Sequence, residues 1–149
     1  MKDKLLTYMA KSHLKTFTTS QILERLRDNS LDTNPPYQRD AAWNTEYQEV
    51  LVGTLIEGGR LISSPIFIEV VNEDGEVVGY ICNDGKQRIT SIDNFVLGKI
   101  SARLSDGTTI TYAKLSEKSA DAQTKASNRR FKEANWSVNI MPPMPIEDQ

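Results

Sequence analysis

The spacing of apolar residues predicts a short amphipathic helix near the start of the chain. Thr18 and Gln21 have the spacing of a capping box, in which each side chain bonds the backbone N–H of the other residue at a helix N-terminus. After these two residues, apolar and charged side chains separate onto opposite faces. The apolar face consists of Ile22, Leu23 and Leu26.

A second helix is predicted to begin near Asn44 or Thr45 and to end at Gly58-Gly59. Glycine takes the left-handed backbone geometry of a helix end without a steric penalty from a Cβ atom. One face of this helix is expected to carry Tyr47, Val50, Leu51, Thr54 and Leu55. Between the two helices, Pro35 and Pro36 fix the backbone φ angle, which predicts an extended connector.

The pattern then changes to β-strands. Residues 66–71 and 77–82 are rich in β-branched and aromatic side chains and are joined by a polar turn containing Gly75, which predicts a β-hairpin. A second hairpin is predicted from Ile100–Leu104 and Thr109–Tyr112.

Three further elements complete the prediction. A third helix carries apolar residues at helical spacing as far as Gly98, namely Ile89, Ile92, Phe95 and Val96. Residues 114–135 are mostly polar and charged, which indicates a loosely packed helix. Residues 136–140 form a last strand, before a segment too rich in proline to pack regularly.

The composition limits the chemistry that this chain can perform. A length of 149 residues is that of one domain, and a net charge of −2 argues against binding nucleic acid through a broadly basic surface. Cys82 and His13 are the single cysteine and histidine, so structural zinc and a Ser-His-Asp triad are poor candidates. We expect Cys82 in the core and His13 in a solvated stretch. No apolar run approaches the roughly 18 residues of a membrane span.

The polar segment 83–88 connects the first hairpin to the third helix. A strand, a tight polar turn and a helix together bind phosphate, because backbone N–H groups and the positive end of the helix dipole converge there. Gly85 allows close approach of the backbone, and Lys86 and Arg88 add positive charge. The segment is therefore a candidate phosphate site.

Two more residues of this segment suit hydrolytic chemistry. Asp84 could hold a divalent metal through water or orient a nucleophilic water, and Gln87 offers both a hydrogen-bond donor and an acceptor. The alternative is a solvated turn that only starts a helix. A second candidate follows the two prolines, where Gln38 and Arg39 could be aimed at a shared pocket and Tyr37 and Trp43 could stack or anchor the core.

The two candidate segments together resemble a known family. The octapeptide D-G-K-Q-R-I-T-S, residues 84–91, resembles the D-G-Q-Q-R-[LI]-T-[ST] box of the ParB/sulfiredoxin-like N-terminal domain of GmrSD-type restriction and phage-defence proteins. Upstream, P-P-Y-Q-R-D-A-A-W, residues 35–43, resembles the P-P-[FY]-Q-R-x-x-x-W segment of that domain. The resemblance covers residues 16–112 and suggests a short stand-alone form of these proteins.

The resemblance implies a fold. That fold is α+β, a single ParB/sulfiredoxin-like domain with a small mixed sheet and β-hairpins packed by short helices. Residues 16–140 would form the domain, between an N-terminal segment, 1–15, and a proline-rich tail, 141–149.

The resemblance also implies metal-assisted hydrolysis of a nucleoside triphosphate or a DNA phosphodiester in restriction or phage–host biology. Asp84, Gln87 and Arg88 would be catalytic, and Asp84 would hold Mg²⁺ or Mn²⁺. The residues expected to bind phosphate or nucleotide are Gln38, Arg39, Gly85, Lys86, Arg88 and Thr90. The expected partners are a nucleoside triphosphate, DNA or both, and a separate nuclease or restriction subunit, in the cytoplasm of a bacterial or phage-infected cell.

One departure from the family pattern keeps an alternative open. Lys86 stands where the family box has its first glutamine, and lysine cannot accept a hydrogen bond. The alternative is a non-catalytic nucleotide- or DNA-binding module that regulates or blocks a partner nuclease. A third interpretation is an interaction protein whose box is only a structural turn.

Overall fold

The computed structural model describes residues 11–33, 44–61 and 64–143. The described residues form seven strands and five helices. In chain order these are β1 (His13–Thr18), α1 (Thr19–Arg27), β2 (Leu31–Asp32), α2 (Thr45–Ile56), β3 (Ile66–Val71), β4 (Val77–Asp84), α3 (Lys86–Val96), β5 (Ala102–Arg103), β6 (Thr109–Ile110), α4 (Tyr112–Leu115), α5 (Ala122–Glu133) and β7 (Asn135–Met141).

Five of the strands form one mixed sheet in the order β1-β7-β3-β4-β2, and β5 pairs with β6 in a separate hairpin. β7 runs antiparallel to β1 and parallel to β3, whereas β4 runs antiparallel to β3 and parallel to β2. The α+β class and the small mixed sheet with hairpins are therefore confirmed. No helix in the part of the chain that the structure describes is long and apolar enough to cross a membrane.

The capping box predicted at α1 is present. The Gln21 backbone N–H donates to Thr18 Oγ1 at 3.1 Å, and the Thr18 backbone N–H donates to Gln21 Oε1 at 2.9 Å. Ile22 is fully buried, and Leu23 and Leu26 pack against the core at its border. The predicted helix and its apolar face are confirmed.

The ends of α2 were predicted correctly, but its buried face only in part, since Leu55 is buried and Leu51 packs against the core as predicted. Asn44 caps the helix, and Gly58 follows it with a φ of 85°. Tyr47 and Val50 are 64% and 45% exposed. The buried residues are Val52, Gly53, Leu55 and Ile56. This helix is apolar on several sides, so its spacing alone could not select the face that meets the rest of the protein.

Strand β1, like the two-residue strand β2, is an element that the sequence pattern did not predict. Its residues pair with β7, more than a hundred positions away, from Thr18 opposite Asn135 to an exposed His13 opposite Ile140. Only Phe17 carries a buried apolar side chain in this strand, and its ring lies 5.7 Å from that of Tyr80. A strand with so little apolar alternation is specified by its partner rather than by its own sequence.

The C-terminal half differs from the prediction in detail. The second hairpin is shorter than expected, since Tyr112 begins α4 instead of ending a strand. α5 occupies only the latter part of the predicted helix 114–135, and Phe131 anchors it in the core. β7 is present as predicted. Its Trp136 is fully buried, and the indole N–H donates to the Thr19 hydroxyl at 2.9 Å, which ties the sheet to α1.

Candidate functional site

The predicted strand–turn–helix junction is present and is tighter than the sequence suggested. β4 continues to Asp84 and α3 begins at Lys86, so Gly85 alone makes the turn. Gly85 has a φ of 103°, in the left-handed region, and as the N-cap residue it has no side chain with which to cap the helix that follows it. We call the residues Asp84–Arg88 and Thr90 the β4–α3 junction.

Gly85 is required at this turn for two separate reasons. Its positive φ disfavours any residue with a Cβ atom. In addition, a Cβ atom built at this position would lie 2.7 Å from the Cβ atom of Pro65, closer than real side chains approach. The close backbone approach predicted at Gly85 is therefore an approach to Pro65, just before β3, and it fixes the junction against the sheet.

The structure brings together every predicted site residue that lies in the junction. Asp84 is exposed at the end of β4, and Lys86, Gln87 and Arg88 are partly buried in the first turn of α3. Thr90 lies four residues after Lys86, on the same side of the helix. The Nη1 atom of Arg88 is shielded from solvent. Two cations, a carboxylate, an amide and a hydroxyl are thus carried by one strand end and one helical turn.

Cys82 lies beneath this junction, and the charges of the junction residues affect the pKa of its thiol. The thiol is fully buried and donates to the Asp84 carbonyl oxygen at 3.3 Å. The pKa of Cys82 is raised to about 12, mainly by burial and also by the negative charge of Asp84, whereas Arg88 and Lys86 act in the opposite direction. The predicted core location of Cys82 is confirmed.

The raised pKa of Cys82 predicts an inert thiol and a defined pH dependence. In the native protein we expect a disulfide reagent such as Ellman's reagent to react with Cys82 only as fast as the protein unfolds, because the thiolate is the reactive form. The ordinary pKa of the thiol is 9.0, so its contribution to stability is complete below about pH 9 and is lost as the pH rises towards about 12.

The measurement is the labelling rate of the native protein at about pH 8, where an unfolded thiol is partly ionised, with and without denaturant. Denaturant midpoints of the wild type and Cys82→Ala, compared at neutral and alkaline pH, test the pH dependence. Rapid labelling without denaturant would show that the thiol is accessible and would contradict this account of the junction.

The parallel pairing of β2 with β4 determines which edge of the sheet the chain reaches at the end of β2. β2 runs parallel to β4, with Leu31 opposite Tyr80 and Asp32 opposite Ile81, so both strands end at the same edge of the sheet. The second predicted segment follows β2 in the sequence. Gln38 and Arg39, with Tyr37 and Trp43, lie outside the described residues, and their predicted roles stay predictions.

The predicted metal ligand is a single carboxylate. Among residues 11–33, 44–61 and 64–143, no group of three or more His, Cys, Asp and Glu side chains could hold a metal ion. Mg²⁺ nevertheless suits one exposed carboxylate such as Asp84, because this ion keeps several waters and takes its other ligands from substrate phosphates. The residues present therefore fit a metal that arrives with a phosphorylated substrate.

Two contacts hold the junction in place, and only the first had no signal in the local sequence. Pro65 packs on Gly85 only because β3 and β4 pair, with Ile66 opposite Asp84. The buried Ser91 hydroxyl donates to the Gln87 carbonyl oxygen at 2.7 Å. This bond stabilises the first turn of α3 on its buried side. Both contacts give the junction a fixed shape.

The fold and the junction correspond to a family of restriction proteins. The family described as GmrSD restriction endonuclease, N-terminal domain, matches residues 19–143, which run from the first residue of α1 to just beyond β7. The chain belongs to this family, and the family associates it with restriction and phage defence. The motif resemblance covered residues 16–112. The family match extends further along the chain and also includes α5 and β7. No curated protein and no solved structure matched the chain.

Proposed function

We propose that the β4–α3 junction binds the phosphate groups of a nucleoside triphosphate or a DNA strand, and that the domain hydrolyses a phosphate ester bond there. One observation carries the proposal. The N-terminus of α3 begins at a left-handed glycine, which has no side chain of its own to cap the helix, and Lys86 and Arg88 lie in the first turn. Helix N–H groups, the helix dipole and two cations then act on the same small volume, which favours a bound anion.

The individual side chains suit distinct roles in this reaction. Arg88 presents a planar guanidinium that matches phosphate oxygens, and Lys86 and Thr90 add a charge and a hydroxyl on the same face. We assign Asp84 to holding Mg²⁺ or Mn²⁺ and Gln87 to orienting the attacking water. A bound divalent ion would supply charge stabilisation at the phosphoryl oxygens. We also propose that Gln38 and Arg39 complete the phosphate site.

Membership of the restriction family suggests the biological setting of this chemistry. We propose that DNA is the final substrate, that the protein acts in the cytoplasm, and that a separate nuclease domain or subunit cuts the DNA under control of this domain. Phosphoryl transfer depends on positioning and charge stabilisation more than on a covalent nucleophile, so the lack of a Ser-His pair in the junction is no obstacle.

Lys86 favours a second candidate function. A lysine in place of a glutamine strengthens phosphate binding but cannot accept a hydrogen bond from a water. The domain would then bind a nucleotide or DNA without hydrolysing it and would regulate or block a partner nuclease.

A thermal-shift screen tests the shared part of both functions. At a ligand concentration about 100 times Kd, binding adds about 2.7 kcal/mol, which raises the Tm of a chain of this size by roughly 5–10 °C. We expect such a shift with at least one nucleoside triphosphate in the presence of Mg²⁺ or Mn²⁺. Arg88→Ala should abolish the shift.

Lys99→Ala is the matched control, because Lys99 is an exposed cation just beyond the opposite end of α3. It should keep the full shift. Phosphate release from the bound nucleotide supports the hydrolase, whereas a shift without release supports the non-catalytic module. If no nucleotide and no oligonucleotide changes the Tm, the junction is only a structural turn.

A further inference from the structure

An open cleft of about 600 Å³ lies beside the β4–α3 junction. The chain segments after α2 and before β3 form one side. The C-terminal end of α5 and the start of β7 form the other. We call it the helix-end cleft. The lining residues used below are Arg60, Leu61, Pro65, Arg130, Asn135 and Ser137.

Pro65 places this cleft next to the junction. Pro65 lines the cleft and also packs against Gly85. Asn94 Nδ2, near the end of α3, donates to Gln48 Oε1, near the start of α2, at 2.9 Å. This bond joins the start of α2 to the end of α3, whereas the contact of Pro65 with Gly85 places the cleft beside the start of α3. A ligand held at the start of α3 can therefore extend into the cleft.

Arg130 gives the cleft a fixed cation. Its Nε donates to the Ile56 carbonyl oxygen at 2.8 Å, and its Nη2 donates to the Ser127 hydroxyl at 2.9 Å. These bonds use two of the five N–H donors of the guanidinium, while the residue stays exposed. An arginine held in this way is preorganised to stack on a planar ring or to bond an oxygen.

The rest of the lining includes one carboxylate, Glu133, and otherwise combines apolar surface with polar groups. Leu61 and Pro65 provide apolar surface, and Asn135 and Ser137 provide an amide and a hydroxyl from the exposed positions of β7. Small-molecule sites usually have volumes of about 300–1,000 Å³ and combine apolar walls with a few polar groups that fix orientation. The cleft has this size and this composition.

We infer that the helix-end cleft holds the base and sugar of the nucleotide whose phosphates bind at the β4–α3 junction. The inference rests on the proposed phosphate-binding function and extends it by giving the nucleoside a separate subsite. The same nucleotide chemistry can come from a free nucleoside triphosphate or from one nucleotide of a DNA strand.

Binding measurements on the intact chain test this division. The probes are inorganic triphosphate, the common nucleoside triphosphates and a short single-stranded DNA, each with Mg²⁺, titrated by calorimetry. Ser137→Phe fills the cleft from an exposed strand position where an aromatic residue is tolerated. Ser137→Ala is its matched control, and Arg60→Ala is a second cleft variant that removes one exposed cation.

We expect Ser137→Phe to weaken nucleotide binding at least about tenfold and to leave inorganic triphosphate within about twofold, because only the nucleoside needs the filled space. Ser137→Ala should bind like the wild type, and Arg60→Ala should weaken nucleotide more than triphosphate. The probe whose affinity falls in this way, free nucleotide or DNA, identifies the source.

Two results would overturn the inference and leave the proposed function standing. One is unchanged nucleotide affinity in Ser137→Phe while Arg88→Ala abolishes binding. The other is an equal loss of triphosphate and nucleotide affinity in both cleft variants, which would make the cleft part of the phosphate site. In contrast, triphosphate and nucleotide affinities that do not respond to Arg88→Ala would overturn the proposed function itself.

Discussion

Gly53→Ala is expected to destabilise the protein by at least about 3 kcal/mol, although the same change in an exposed helix interior is usually stabilising by about 1 kcal/mol. Gly53 is buried in the middle of α2. A Cβ atom at this position would lie 1.7 Å from the backbone carbonyl oxygen of Arg103 and 2.6 Å from its carbonyl carbon. Backbone atoms cannot rotate away as a side chain can, so the β5–β6 hairpin would have to move.

A neighbouring ion pair makes that movement more costly. Glu49 lies one turn before Gly53, on the same side of α2, and its Oε1 accepts a hydrogen bond from Arg103 Nη2 at 3.0 Å. Displacing the hairpin would disturb this contact as well. The fold therefore depends on direct contact between the backbones of α2 and β5.

The measurement is urea denaturation of Gly53→Ala beside Val50→Ala, an exposed position on the same helix. Val50→Ala should change the free energy of unfolding by less than about 0.5 kcal/mol, as exposed substitutions usually do. If Gly53→Ala proves as stable as the wild type, the helix and the hairpin do not pack as closely as the structure shows.

Gly85→Ala is expected to cost stability twice and to remove the proposed ligand binding. The left-handed backbone alone costs about 1–2 kcal/mol for a residue with a Cβ atom. The 2.7 Å approach to Pro65 adds an overpacking cost of about 1–3 kcal/mol. Relief of that contact would shift the start of α3 and with it the positions of Lys86 and Arg88. Affinity for a phosphate ligand should therefore fall together with Tm.

Gly98→Ala separates the cost of the left-handed backbone from the cost of the contact with Pro65. Gly98 follows the same helix with a φ of 78°, but a Cβ atom there would meet nothing within 4 Å. It should show only the backbone cost and should bind ligand like the wild type. The readouts are the free energy of unfolding and the ligand-induced thermal shift of both variants. Equal stability losses at the two glycines would show that Pro65 gives way without cost.

Much of the fold followed from local sequence signals. The capping box at Thr18, the left-handed glycines at helix ends and the polar turn at Gly75 each act over a few residues, so their structure could be predicted without knowledge of the fold. The β3–β4 hairpin and the junction after it followed from the same kind of signal. These signals fixed where elements begin and end.

The misassigned features depend on contacts between distant residues. α2 buries Val52, Gly53 and Ile56 beside the predicted Leu55, and the hairpin backbone packs on Gly53. β1 exists because β7 supplies its hydrogen-bond partners. In the candidate site, the motif itself predicted Asp84, Gly85 and Arg88, but no local pattern indicated that Pro65 would pack on Gly85 or that the helix-end cleft would lie beside it.

The sequence by itself determined the order of most elements, the left-handed turn at Gly85 and the chemistry concentrated around it. These follow from backbone sterics and from charges a few residues apart. The tertiary structure alone decided which face of α2 is buried, how the five strands are ordered, and that the ends of α2 and α5 enclose a cleft next to the start of α3. Such features depend on packing and strand pairing between segments far apart in the chain, which no local pattern of residues can specify.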